Sequence, residues 1–286
     1  MNYVESLQKA ISYMESHLDE EIQIQYIAKE ANMSAYHFQR LFMLLTDTSV
    51  AEYIRRRRLT LAAQELSTSS VRIIDVALRY GYETPESFTK AFRRQHGMTP
   101  TEARKENRNF TSYNRLAIQV SLKGADPMKY RIVEKEAFEV IGVHRTFSMV
   151  TAEKFNEVPK MWHESHQNGI NDRLFTLNNG DIKGILGVCT PSEAGEKSME
   201  YWIAAEYKGE EQEGFEKLTI PAATWAVFEV IGPMPNAIQD AWTRIYSEWF
   251  PSSGYKQSLN IEFEYYTDED PSKEDLYTEI WIPIKR

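Results

Sequence analysis

Gln39 and Arg40 stand in a short helical stretch, residues 33–42, that also holds Ser34 and Tyr36. Gln39 has an amide that can pair in bidentate fashion with adenine, and Arg40 a guanidinium fork suited to guanine or to a phosphate. Tyr36 can lie against a sugar or a thymine methyl. About fifty residues on, residues 82–92 offer Thr84, Glu86, Ser87 and Lys90. Hydroxyls and an amine there suit phosphate contacts, whereas the Glu86 carboxylate can accept from cytosine N4 but is otherwise repelled by phosphate. Arg40 has an alternative use, an ion pair within its own domain.

These residues need helices that turn them outward, and the pattern supplies them twice. Ile27-Ala28 precedes Ser34, Phe38 and Phe42; Val76-Ala77 precedes Thr84, Phe88 and Phe92. The separations from Ala to the last Phe are 14 and 15 residues, so the second copy has one extra residue in its turn. Two helix-turn-helix units in tandem are predicted, able to read two major-groove segments from one chain. Residues 24–31 form the first positioning helix, and Ser34 is the N-cap of a recognition helix reaching about residue 45. Phe38, Leu41, Phe42 and Leu45 take its core face, leaving Tyr36, Gln39 and Arg40 outward. Residues 73–80 position the second unit, Gly81 supplies the positive φ of its turn, and Pro85 suits a first helical turn. Residues 3–17 read as an amphipathic helix and residues 50–66 as a connecting one. The latter carries Arg55-Arg56-Arg57-Arg58, which cannot all face one partner because successive residues lie about 100° apart. Arg55 is taken as a phosphate contact, with others in the run making ion pairs.

Charge separates the chain in the same sense. The net charge of −9 opposes DNA binding, but residues 55–108 hold 12 Lys and Arg against 6 Asp and Glu, and residues 109–286 hold 18 against 28. A basic block beside an acidic one points to two partners of opposite kind. The 286 residues suit about two domains, with no apolar run long enough for a membrane span and no secretory leader. Cys189 as the only cysteine excludes an intrachain disulfide and a cysteine-built zinc site, and fits a reducing, cytoplasmic compartment. His163 and His166 flank Glu164 on a helix without a third ligand, so no metal is expected. No phosphate loop or GxSxG elbow is present, and no cofactor is implied.

From residue 128 onward alternating, β-branched and aromatic runs predict strands at 130–133, 138–143, 185–189, 201–207, 224–231, 261–266 and 280–284, interrupted by helices at 152–166 and 235–250. The half repeats itself, since FEVIGVHRTF, a helix, GILGVCT and MEYWIAAEYKG match AVFEVIGPM, a helix, IEFEYYT and TEIWIPIK in order. Two α+β halves making one pseudo-twofold domain are expected. Alternation puts Glu262, Glu264 and Tyr266 on one strand face, and sets Glu279 and Trp281 opposite Ile280 and Ile282. The aliphatic faces should meet the helices, leaving a groove of Glu and Trp. An acid there with Trp225, Trp281, Tyr201 and Tyr266 suits a lipophilic cation, while the same alternation is equally that of a solvated sheet face. The repeat aligns Gly187 with Glu264, an asymmetry that favours a specific role for Glu264.

The motif across residues 73–104, with Gly97, Pro100 and Arg104, resembles the AraC/XylS regulators; Ala103 stands where that family has an aromatic. Residues 129–286 resemble the gyrase-inhibitor-like effector-binding domain, through the paired repeats, the FEYY strand and the closing EIWIPIK. The first resemblance implies DNA contacts at the Tyr36, Gln39 and Arg40 positions, the second a buried acid in a drug site at Glu264. The resulting expectation is a multidomain chain. Residues 1–108 form an all-α tandem helix-turn-helix domain, 109–127 a linker, and 128–286 an α+β effector domain with an antiparallel sheet and two main helices. It reads as a bacterial, non-enzymatic regulator of double-stranded DNA that senses a small, lipophilic or cationic molecule, with RNA polymerase a further partner. Two rivals are a C-terminal hydrolase of reactive small molecules, working through a groove Glu and Tyr, and an effector-independent DNA-binding activator.

Overall fold

The computed structural model describes residues 3–105, 109–118, 127–150, 157–267 and 270–286. Contacts divide the chain into two compact units, residues 1–38 with 48–121 and residues 39–47 with 122–286. None of the described helices is long and apolar enough to cross a membrane.

The helical part comprises α1 (Tyr3–Ser16), α2 (Ile24–Glu30), α3 (Ala35–Thr46), α4 (Val50–Thr68), α5 (Ile73–Arg79), α6 (Pro85–His96) and α7 (Pro100–Lys105). The internal repeat is visible in the backbone. Asn32 and Gly81, both at positive φ (54° and 80°), occupy the same place in the two turns. Beyond them Met33 N–H donates to Ala28 O and Tyr82 N–H to Ala77 O, each at 2.9 Å. Each recognition helix then starts on a hydroxyl cap: the Ser34 side chain accepts from His37 N–H at 3.1 Å, and Thr84 accepts from Ser87 N–H at 3.2 Å with Pro85 following it. Phe88 and Phe92 bury one face of α6 against Leu59, Ala62, Leu66, Val76 and Ala77. Residues 109–118 run without helix or strand along α4. There Tyr113 N–H donates to Thr60 Oγ1 and Leu116 N–H to Tyr53 OH. The remainder of the expected linker lies largely outside the described residues.

The second unit is built on one antiparallel sheet of β1 (Tyr130–Lys135), β2 (Phe138–Ser148), β3 (Ile185–Pro191), β4 (Ser198–Glu206), β5 (Glu216–Ile220), β6 (Ala223–Ile231), β7 (Lys256–Gln257), β8 (Glu262–Tyr266) and β9 (Tyr277–Lys285). Its order, β1-β6-β9-β8-β3-β4-β2-β5 with β7 on β9, is symmetric about the β8–β3 pair, as the sequence repeat requires. Even the outer strands obey it: β1 precedes β2 but pairs with β6, and β5 precedes β6 but pairs with β2. The helices are α8 (Val158–Gln167), α9 (Ile170–Leu177), α10 (Asn236–Arg244) and α11 (Phe250–Ser253), the last two joined by a π-helical turn, Ile245–Trp249. That turn breaks the single helix expected over 235–250. Pro251 just beyond it has no N–H with which to continue an α ladder. Residues 152–156 of the other expected helix lie outside the described residues. The strands β5 and β7 and the helices α7 and α9 are short elements without a sequence counterpart above.

Register corrects the expected groove. Glu264 pairs with Ile280 and Phe263 with Trp281, so Glu264 shares its sheet face with the aliphatic Ile280 and not with Glu279 or Trp281. Trp225 follows Trp281, because Val227 is the residue paired with it and Trp225 lies two positions along. Trp225, Trp281 and Phe263 are buried together in an apolar cluster on the opposite face. Alternation within a strand orders its own residues, but the relative phase of two strands is set by their pairing.

Candidate functional site

Glu264 lies at the centre of the second unit, in β8 directly across from Gly187 in β3. The sequence repeat equates these two positions, so the pseudo-twofold axis passes through the pair. Each side chain on the axis would meet its own counterpart, and glycine resolves this. A Cβ on Gly187 would come within 2.3 Å of Tyr201 Oη and 3.2 Å of Glu264 Oε2.

The space is used by neutral donors aimed at the carboxylate. Trp242 Nε1 donates to Glu264 Oε1 at 2.7 Å, and Tyr266 and Tyr201 hydroxyls donate to Oε2 at 2.8 and 3.3 Å. Trp162 Nε1 donates in turn to Tyr201 Oη at 2.8 Å, and its ring meets Tyr266 edge-on at 4.9 Å. Burial, followed by the Glu264 charge, pushes both tyrosines well above their ordinary pKa, so they remain phenols that donate. Among the described residues no Lys, Arg or His forms an ion pair with Glu264. A buried carboxylate held only by dipoles keeps attraction for an incoming cation, and the surrounding rings supply the apolar and cation–π component. Tyr201 and Tyr266 are thus where sequence reasoning put them. Trp162 and Trp242 were missed, because they arrive from α8 and α10 and no strand alternation reports on helix residues.

Glu279 forms a separate cluster on the other face. It accepts from Arg131 (2.8 Å), Trp281 Nε1 (2.7 Å) and Tyr277 (2.5 Å), so its charge is already matched by a guanidinium. Trp225 is fully buried against Phe263 and Trp281. With Trp281, these three belong to packing in the structure, which corrects their expected place beside Glu264.

The two recognition helices differ. On α6, Thr84, Glu86, Ser87 and Lys90 are exposed, as expected. Lys90, Arg93, Arg94 and Thr99 also line an open groove of about 640 Å³. Arg93 and Arg94 went unread, although they follow Lys90 at i+3 and i+4 and so share its face. On α3, Ser34 is exposed, but Tyr36, Gln39 and Arg40 are each about 5 to 6% exposed, contrary to the outward placing above. Gln39 Nε2 donates to Glu196 O at 2.7 Å, and Arg40 Nε donates to Glu262 Oε1 at 2.7 Å. The ion pair considered for Arg40 exists, with a partner 222 residues away along the chain. Arg55 and Arg56 both pair with Glu52, Arg57 with Glu15, and Arg58 donates to the carbonyls of Leu18 and Glu20. The whole arginine run, Arg55 included, is engaged internally.

Residues 131–284 match the family model Cass2, integron-associated effector binding protein. The chain belongs to that family. Residues 27–106 match a helix-turn-helix domain model. Over 288 residues the chain is 25% identical to the right origin-binding protein of Escherichia coli K12, covering 96% of each. It is 42% identical over 112 residues to an uncharacterized HTH-type transcriptional regulator, YbfP, of Bacillus subtilis, a match to 39% of this chain and 38% of that one. The solved structure of SAV2435 bound to tetraphenylphosphonium matches 55% of this chain and 94% of its own, with a TM-score of 0.50 and 26% identity. An AraC-type DNA-binding part joined to an effector-binding domain makes this family member a transcription regulator and not an enzyme.

Proposed function

We propose that this regulator responds to a lipophilic organic cation bound at Glu264, between Trp162, Tyr201, Trp242 and Tyr266. The observation that carries the reading is the buried Glu264 carboxylate, hydrogen-bonded by three neutral donors and without a cationic partner among the described residues. The tetraphenylphosphonium bound to SAV2435 supports the chemical class. Desolvated cation–π contacts are worth about 2 kcal/mol or more, so a ring-bearing cation gains from both the charge and the walls. On the DNA side, the exposed face of α6 takes phosphates through Thr84, Ser87, Lys90, Arg93 and Arg94, while Gln39 and Arg40 of α3 read bases when released from their partners. The division proposed with this reading is residues 1–108 for DNA and 128–286 for the effector.

Titration calorimetry with tetraphenylphosphonium tests the assignment. Glu264→Gln keeps the size of the side chain and removes its charge, so binding should weaken at least tenfold. Equal affinity of wild type and Glu264→Gln would overturn it.

A further inference from the structure

Glu264 has a neighbour that the effector site as described does not use. Glu262 lies two residues earlier on the same strand, hence on the same sheet face, and is 1% exposed. Its Oε2 accepts from Tyr246 at 3.2 Å and Gln257 at 3.4 Å. Its Oε1 accepts from Arg40 Nε at 2.7 Å. The Arg40 guanidinium carbon also sits 5.6 Å from the Trp242 ring centroid, over the indole whose N–H holds Glu264. Trp242 and Tyr246, one turn apart, stack with rings 12° from parallel. One indole is therefore shared: its N–H serves Glu264, and its face serves Arg40.

This is the recognition chemistry of an organic cation, with a carboxylate, hydroxyl and amide donors to steady it, and an aromatic face, already satisfied by a cation of the chain itself. We propose that Glu262, Tyr246, Gln257 and Trp242 form a guanidinium-binding subsite, that Arg40 is its built-in occupant, and that an organic-cation effector competes with Arg40 for it. The inference rests on the Glu264 reading for where the effector's charge goes, and adds what has to leave. A site whose competent form is a fraction of the population shows an affinity reduced by that fraction, so removing the occupant raises affinity without adding a contact to the ligand. One guanidinium cannot hold Glu262 and a base edge together. Effector binding and release of Arg40 for DNA are thereby coupled, and each must favour the other by the same factor.

The test uses the full chain and two probes. Arg40→Met removes the cation while keeping a long apolar side chain, and should bind tetraphenylphosphonium about tenfold more tightly than wild type in calorimetry. Methylguanidinium at millimolar concentration should raise the melting temperature of Arg40→Met by filling the vacated subsite. It should do so neither for wild type nor for the double variant Arg40→Met, Glu262→Gln. Arg40→Lys, which retains a cation, should bind tetraphenylphosphonium like wild type and so shows that charge and not folding is being read. If Arg40→Met binds tetraphenylphosphonium no more tightly than wild type, or gains no stability from methylguanidinium, the subsite is refuted. The Glu264 reading survives that result as long as Glu264→Gln still loses the probe; loss of neither refutes both.

Discussion

Glu264 shows how a pseudo-symmetric domain makes an asymmetric site. The pairing of position 264 with position 187 on the axis forbids two large side chains, so one repeat carries the acid and the other carries nothing. Gly187→Ala is accordingly predicted to push Tyr201 off Glu264, because the new Cβ has only 2.3 Å to the tyrosine hydroxyl. Tetraphenylphosphonium affinity should fall about tenfold, and melting temperature should drop too, since overpacking costs about 1–3 kcal/mol. Unchanged calorimetry would show that the hydroxyl does not need that place. Tyr266→Phe removes a donor from the same buried carboxylate and should cost about 1–3 kcal/mol of stability by denaturant titration. Glu264 and Tyr266 were legible together because they lie two apart on one strand, whose period of two is local; Tyr201 reaches the acid from β4. Trp225, Trp281 and Glu279 were misplaced, since combining residues of three strands into one groove requires their mutual register.

The helix-turn-helix units were legible down to individual backbone positions: the Ser34 cap, Pro85 in the first turn, and the glycine at positive φ; the Thr84 cap was not read. Each of these is a short-range requirement of the chain. Gly81→Ala should destabilise the helical part by about 1–2 kcal/mol in denaturant titration, because a left-handed residue carries that penalty with a Cβ, and this Cβ would also approach Arg58 Nη1 to 2.7 Å. Asn32 tolerates the equivalent conformation in the first unit, so Gly81→Asn should cost less than Gly81→Ala.

His96, buried at the end of α6 with its ring Nε2 3.1 Å from Leu59 O, supplies a pH signature. Burial is the main cause that lowers its pKa below 6.5, so the unfolded chain binds the proton more readily than the folded one. The contribution is fully present above the unfolded value and is lost as pH falls below about 6.5 toward the folded pKa. Melting temperature should therefore fall between pH 7.5 and 5.5, and His96→Gln should flatten that fall. Parallel curves for the two proteins would contradict the assignment.

Across the molecule, charge and function are segregated. The basic stretch that includes α6 is part of a chain whose net charge is −9, so association with DNA must be local and salt-dependent. Each phosphate contact contributes roughly 0.9 to the slope of log affinity against log salt. Lys90→Ala and Arg93→Ala should each lower the slope by about that amount and weaken all duplexes alike, as fluorescence anisotropy across a salt series would report. Arg55→Ala should leave the slope unchanged, because its guanidinium is already held by Glu52 at 2.6 and 2.8 Å. A slope that moved with Arg55 and not with Lys90 would reverse the assignment of the DNA face.

The linear order of residues was enough for the two helix-turn-helix units, the α+β repeat and the acid at position 264. Each is expressed in periodicities and spacings of a few residues, where backbone geometry leaves few solutions. What Arg40 and Gln39 touch, which tryptophans wall the acid and which merely pack, and that Arg57 is held by Glu15 and Arg58 by the Leu18 and Glu20 carbonyls, emerged from folding. Those outcomes are contacts between residues tens to hundreds of positions apart. A buried charge takes the nearest counter-charge in space, and distance along the chain does not encode that neighbour.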